Sequence, residues 1–231
     1  FTEKLGIYEL NIDDPVQHPW KDPRTLSFLN DPEICERFDN HLIECREKLI
    51  GYMANKGLDI NSRVDIGIID IGWRGTIQDN LAHTLPDITW HGYYLALNRF
   101  LNAQPGNTEK QAWGPNLNNS TQFAELLDSV APMEMLCNSP NGSVTGYING
   151  PSGLQALRHI DKKENDIYEE SIRHYQEGVI DTIPYWADVI RTQAYTAQEV
   201  RPVALQIWKG IVFRPPTFLA QAYYRLNHNE T

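Results

Sequence analysis

The run Val64-Asp65-Ile66-Gly67-Ile68-Ile69-Asp70-Ile71-Gly72-Trp73-Arg74-Gly75-Thr76 decides the fold. Its first seven residues are a short, largely apolar stretch rich in β-branched side chains, which predicts a strand buried on both faces. Thr76 to Leu85 carries helical periodicity, Pro86-Asp87 is a turn, and Trp90 to Leu97 reads as a second strand. Strand, helix and strand joined by a short crossover make a βαβ unit, with two parallel neighbouring strands connected in the right-handed sense. The expected fold class is therefore α/β, with an open, mainly parallel Rossmann-like sheet and a C-terminal helical subdomain.

Working outward, residues 1–30 hold many turn formers, among them Asp14-Pro15, His18-Pro19 and Asp22-Pro23, and read as an irregular lid or linker. Asn30-Asp31-Pro32-Glu33 is a helix start, with a capping side chain, proline in the first turn and acids toward the positive end of the dipole. Ile34, Phe38, Leu42, Cys45, Leu49 and Met53 then recur at helical spacing until Lys56-Gly57 closes the helix. Asn98 to Thr121 shifts to Asn, Gly, Pro and Gln and reads as a long loop. A helix is expected from Gln122 to about Leu136, a tight turn over Ser139 to Ser143, and a strand from Val144 to Ile148. Beyond Gly153 the pattern is mainly helical, with Ile167, Tyr168, Ile172, Tyr175 and Val179 on one face and interruptions at Pro184, Pro202 and Pro215-Pro216. The reading divides the chain into an irregular segment 1–30, an α/β domain 31–153 and a helical subdomain 154–231. A start at Phe1 without methionine and a stop at Thr231 inside a polar stretch suggest a fragment of a larger protein.

The chain has 231 residues, 41% hydrophobic and 22% charged, an ordinary globular balance. A formal net charge of −10 repels nucleic acid and anionic lipid at long range, so neither is an expected partner. No stretch reaches the ~20 apolar residues of a membrane helix. Cys35, Cys45 and Cys137 fall in no metal-ligand spacing; Cys35 and Cys45 sit on the apolar side of the expected helix and read as core residues of a protein in a reducing compartment. The N-x-S/T sequons at Asn118, Asn119, Asn141 and Asn229 read as chance occurrences in an asparagine-rich chain.

The chemistry concentrates at the end of the first strand. In open α/β sheets ligands bind outside the carboxyl ends of the strands, which is where Asp70 falls. Gly72 and Gly75 permit close backbone approach, and the N–H groups of the following helix start favour an anion. Arg74 adds a planar donor fork suited to phosphate, and Thr76 adds a hydroxyl. Gly72, Arg74, Gly75 and Thr76 are thus candidate phosphate contacts, Trp73 and Gln78 of the same run are set beside them as candidates, and Asp70 is a candidate catalytic residue. The alternative reading is structural: glycines that merely allow a strand-to-helix turn, Asp70 as a helix cap, Trp73 packed on the sheet. A second cluster runs from Glu134, a candidate base or orienter, to Ser139, Asn141, Gly142 and Ser143, candidates for a second phosphate; its structural alternative is a capped helix end. Between Met133 and Met135, a buried Glu134 needs a partner.

Other chemistries have less support. The histidines lack HExxH or paired ligand spacing, so no protein metal site is expected; GxSxG and the Walker pattern are absent. Tyr93-Tyr94 and Tyr223-Tyr224 read as core or interfacial aromatics rather than a base-stacking platform.

The string from Val64 through Thr76-Ile77-Gln78, with Gly92-Tyr93-Tyr94-Leu95 and the stretch from Glu134 to Tyr147 downstream, resembles the C-terminal region of bacterial polysaccharide-biosynthesis proteins often labelled predicted HAD-superfamily hydrolases. The similarity runs from about Arg63 to Tyr147 and more faintly to Asn227, and its core is D-I-G-W-x-G-T-x-Q. The HAD motifs of such proteins lie in a separate N-terminal part, and this chain shows no D-x-D-x-T/V. The resemblance implies the partner module: a phosphoribosyltransferase-like glycosyltransferase of O-antigen or capsule synthesis, with 31–153 binding a phosphorylated sugar donor such as phosphoribosyl pyrophosphate and Asp70 holding its ribose hydroxyls or Mg²⁺. It also implies a glycan acceptor, other domains of the same polypeptide as partners, Mg²⁺ as the candidate cofactor with no organic one, and a cytoplasmic place, peripheral to the inner membrane through those domains. The phosphate loop of ordinary phosphoribosyltransferases is similar in layout, but carries two acids where this turn has Asp70 alone and threonine where it has Arg74. The rival readings are a HAD-type sugar phosphatase and a non-catalytic glycan-binding module.

Overall fold

A computed structural model describes residues 2–58, 60 and 65–224; Phe1, Arg63, Val64, Asn227, Asn229, Thr231 and the side chain of Tyr223, all named above, lie outside the described residues. The chain is α/β, about 51% helix, with a three-stranded parallel sheet and a separate small antiparallel one. It folds as two compact units, Phe1–Leu58 with Gly146–Leu157 and Asp59–Thr145 with Arg158–Thr231.

The first unit is built on α1 (Thr2–Ile7), α2 (Pro23–Leu29) and α3 (Pro32–Asn55). Asp31 caps α3, accepting from the Glu33 and Ile34 N–H groups at 2.9 and 3.3 Å, with Pro32 at the first helical position, as the sequence predicts. The same carboxylate accepts from Tyr8 Oη at 2.7 Å and pairs with Lys4 at 3.1 Å, tying α1 to the start of α3. These partners, Tyr8 first, hold its pKa down at about 2. Residues 1–30 are thus not irregular throughout: two short helices flank a loop over 8–22, because Asp22 caps α2 ahead of Pro23 just as Asp31 caps α3. The apolar stripe of α3 is a correction too. Ile34 is buried, but Phe38, Leu42 and Cys45 are exposed, since within this unit α3 meets packing at its ends. Its last turns receive a β-hairpin tip, where Tyr52 and Tyr147 approach to 4.8 Å between ring centroids and Asn55 donates to the Leu154 carbonyl at 3.4 Å.

In the second unit β1 (Asp65–Asp70), β2 (Thr89–Tyr94) and β3 (Thr108–Ala112) lie in the order β1-β2-β3, all parallel. The helix α4 (Thr76–Thr84) follows β1, so the βαβ reading holds. Two expectations fail here. β1 is an edge strand buried on one side: Ile66 is buried whereas Ile69 is 91% exposed. And the stretch 98–121 contains a strand, β3, whose residues Thr108-Glu109-Lys110-Gln111-Ala112 are too polar to signal one; it forms because backbone pairing with β2 does not require apolar side chains.

On the exposed sheet face, His91 lies opposite Glu109 and bonds its carboxylate at 3.0 Å and that of Asp65 at 3.1 Å. Asp65, then Glu109, raise the imidazole pKa. A raised native value means the interaction is fully present below the unfolded pKa near ~6.5 and is lost as pH rises through the native value. An NMR titration of His91 is expected to give a midpoint above ~6.5, moving down in Asp65→Asn; an unshifted midpoint in the native chain would remove this triad.

The expected helix 122–136 is broken into a 3₁₀ turn (Ala124–Leu127) and α5 (Ala131–Leu136), where Pro132 suits a helix start rather than an interior. The antiparallel pair is β4 (Ser143–Gly150) with β5 (Gly153–His159), so the helical part begins after residue 159 rather than at 154. Next come α6 (Lys162–Ile167), a π-helical turn (Tyr168–Ile172) and α7 (Arg173–Thr192), then α8 (Ala197–Phe213) and α9 (Thr217–Tyr224). Pro184 and Pro202 lie inside α7 and α8 instead of ending them, while Pro215-Pro216 does separate α8 from α9. Tyr168 and Ile172 are buried as expected; Tyr175 and Val179 are exposed. Leu205 and Trp208 of α8 close a core over Ala96, Leu126 and Leu127. Among the described residues no helix is long and apolar enough to cross a membrane.

Candidate functional site

Past the last ladder pairs the backbone of β1 keeps pairing with the chain beyond β2: Leu95, Ala96 and Asn98 N–H groups donate to the Asp70, Ile71 and Trp73 carbonyls at 3.1, 3.2 and 2.6 Å. The turn 70–75 is therefore fixed to the carboxyl edge of the sheet. Gly72, at φ 136°, lies so close to the Ala96 carbonyl that a Cβ there would collide with it, and the peptide bond to Trp73 is cis. Asp70 accepts from the Gly72 N–H at 3.3 Å. It does not cap the helix; the cap position of α4 is Gly75, left-handed at φ 68°, ψ 29°, and no side chain closes the helix start. The first N–H groups of α4 thus lack both an intrahelical acceptor and a capping side chain, the arrangement that favours an anion. Thr76 is exposed at this end.

The two remaining turn residues face different ways. Arg74 donates its guanidinium to the Arg99 carbonyl. Trp73 packs against the core of Ala96, Leu126 and Leu205, and its indole N–H donates to Glu134 Oε1 at 2.8 Å. Packing and function were alternatives for Trp73; its ring does the first while its N–H brings Glu134 to the turn across 61 residues of sequence. This is the partner that a glutamate between two methionines requires.

Gln78 belongs elsewhere. It is wholly buried, and its amide donates to the Trp90 and Glu109 carbonyls at 2.7 and 3.0 Å while accepting from Tyr94 Oη at 2.7 Å. It braces α4 against β2 and β3, and a Cβ on Gly92 would collide with its amide oxygen. Burial, then the charges of Asp70 and Asp79, push the Tyr94 phenol up, so it stays a neutral donor. The cluster from Ser139 to Ser143 sits at the root of the hairpin: Ser139 Oγ accepts from the Asn141 N–H and side-chain amide, Arg158 donates to the Asn141 and Gly142 carbonyls, and Gly142 (φ 64°) lies against the His159 carbonyl. Ser143 begins β4 and is exposed.

The residue that sequence reading missed is Lys110. Its ammonium pairs with Asp79 at 2.5 Å, reaches Gln104 Oε1 at 2.6 Å and the Arg74 carbonyl at 3.4 Å, and lies 4.7 Å from the Phe100 ring centre. The side chain is 3% exposed and runs beneath Gly75, whose missing Cβ would stand 3.0 Å from Nζ. Only the alternation of burial along β3 brings it there, and a polar five-residue strand carries almost no periodic signal. Among the described residues no group of three His, Cys, Asp or Glu side chains converges on a metal position. No protein-family model matches the chain, and no curated protein matches it.

Proposed function

We propose that this chain is the donor-handling part of a glycosyltransferase of bacterial surface polysaccharide synthesis, moving a phosphoribosyl group from a diphosphate donor to a glycan hydroxyl. The observation that carries the reading is the uncapped start of α4, opened by Gly75 at the carboxyl end of a parallel strand and flanked by Asp70, Arg74 and Thr76. The three parallel strands are read as one side of a Rossmann-like sheet, in which such a turn is the customary seat of a phosphate. The donor diphosphate lies on the N–H groups of residues 75–77 with the Thr76 hydroxyl, and the Arg74 fork swings from the Arg99 carbonyl onto its oxygens. Asp70 binds the ribose hydroxyls; Mg²⁺ carried on the diphosphate would have this one carboxylate as its protein contact and would neutralise the leaving group.

In the reaction the acceptor oxygen bonds to the anomeric carbon, the bond from that carbon to the diphosphate breaks, and the acceptor proton passes to Glu134, oriented by the Trp73 N–H. The diphosphate leaves with the bonding pair, stabilised by the amides and the guanidinium.

Thermal denaturation with candidate donors tests this. At about 100 times its Kd a donor stabilises by ~2.7 kcal/mol, roughly 5–10 °C for a chain of this size. Phosphoribosyl pyrophosphate is expected to give such a shift and uridine diphosphate sugars are not. No shift with phosphoribosyl pyrophosphate at any concentration overturns the reading.

A further inference from the structure

The first unit contains an open cleft of about 370 Å³ within the loop between α1 and α2, toward the lower end of the ~300–1,000 Å³ of small-ligand sites. Its rim is tied down. Arg24 donates to the Glu9 carbonyl at 3.1 Å and to Asp22 at 2.7 Å, joining the loop's two ends, and Tyr8 is anchored on Asp31 and edge-on to Phe28. Pro15, Pro19 and Pro23 further restrict the backbone.

We infer that this cleft binds a neutral saccharide. Only Leu10, Pro15 and Val16 of its eleven lining residues are apolar, too few for a lipid or an aromatic ligand. The charges also exclude an anion: Glu9, Asp14 and Asp22 stand against Lys21 and Arg24, and Arg24 is consumed by Asp22 and the Glu9 carbonyl. What remains is a set of planar and cationic groups with no side-chain hydrogen bond or ion pair among the described residues, namely the Glu9 and Asp14 carboxylates, the Gln17 amide, the His18 imidazole and the Lys21 ammonium. Asn11 spends its amide oxygen on the Asp13 N–H at 3.2 Å and keeps its NH₂. Carboxylate and amide acceptors together with amide and ammonium donors suit hydroxyls, each of which donates once and accepts twice. Beside the cleft, Trp20 is 66% exposed with His18 at 5.5 Å between ring centroids, an aromatic face suited to the C–H face of a sugar ring. Calling this saccharide the acceptor rests on the proposed transfer; the site itself does not.

The test is titration of the full chain with ribose, galactose, lactose and N,N′-diacetylchitobiose, and with glucose 1-phosphate as the anionic comparison, followed by calorimetry and tryptophan fluorescence. At least one neutral sugar is expected to bind and change the emission of Trp20, identified by its loss in Trp20→Phe. Asp14→Ala with Gln17→Ala removes a charged and a neutral hydrogen-bonding group and should weaken that binding by about tenfold or more. Both positions are exposed, so unchanged circular dichroism is the fold control. The inference falls if none of the four sugars binds, or if the double variant binds as the native chain does. Sugar binding without any phosphoribosyl pyrophosphate shift would sink the transferase reading and keep this site; a donor shift without sugar binding would do the reverse.

Discussion

Lys110→Met is expected to destabilise the second unit by about 3–5 kcal/mol, the cost of removing one partner from a buried ion pair. Methionine fills nearly the same space, so the loss is electrostatic. Asp79, 16% exposed, and the Gln104 amide oxygen lose the ammonium that satisfies them, and the Arg74 carbonyl loses a donor. The decisive comparison is Lys110→Met with Asp79→Leu. With both charges replaced by apolar groups no buried carboxylate is left unpaired, and most of the stability should return. Urea denaturation of the four species measures this as a coupling energy. Native-like stability of Lys110→Met alone would mean that the pair contributes nothing.

Arg74→Ala, which removes the guanidinium that stabilises the leaving diphosphate, and Asp70→Asn, which removes the charge that holds the ribose hydroxyls, are each expected to reduce transfer by a factor on the order of 10²–10³, while leaving the fold in place. The physical grounds for separating the two effects are local. Arg74 makes one hydrogen bond to the Arg99 carbonyl, and its loss costs only ~1 kcal/mol. Asparagine keeps an oxygen for the Gly72 N–H and removes only the charge. Steady-state transfer rates from phosphoribosyl pyrophosphate to a glycan acceptor, with circular dichroism on the same samples, provide the readout. Rates within threefold of native in both variants would return the turn to the structural reading, a glycine bend and no more.

The elements with strong local signals were legible in the residues. Proline after an aspartate placed the start of α3; the β-branched run ending at Asp70, the glycine turn and the apolar run Trp90 to Leu97 placed β1, α4 and β2 as a parallel βαβ unit. The bend itself was legible, because a strand end, two glycines and a helix start are local signals. What was not legible depended on partners distant in sequence. β3 is recognised as a strand by the neighbour it pairs with rather than by its own polar residues, and once it forms it carries Lys110 beneath Gly75. Gln78 reads as a site residue by its place in the motif, yet folding puts it in the core, where three groups on β2 and β3 saturate it.

By itself, then, the sequence determined the βαβ unit, the capped start of α3 and the bend after Asp70, which follow from apolar patterning, backbone conformation and hydrogen bonds local to each element. Tertiary structure alone decided which face of β1 is covered, that Glu134 meets Trp73, and which cation supports the turn. These rest on desolvation and charge pairing between segments tens of residues apart, quantities that have no value until the chain has closed on itself.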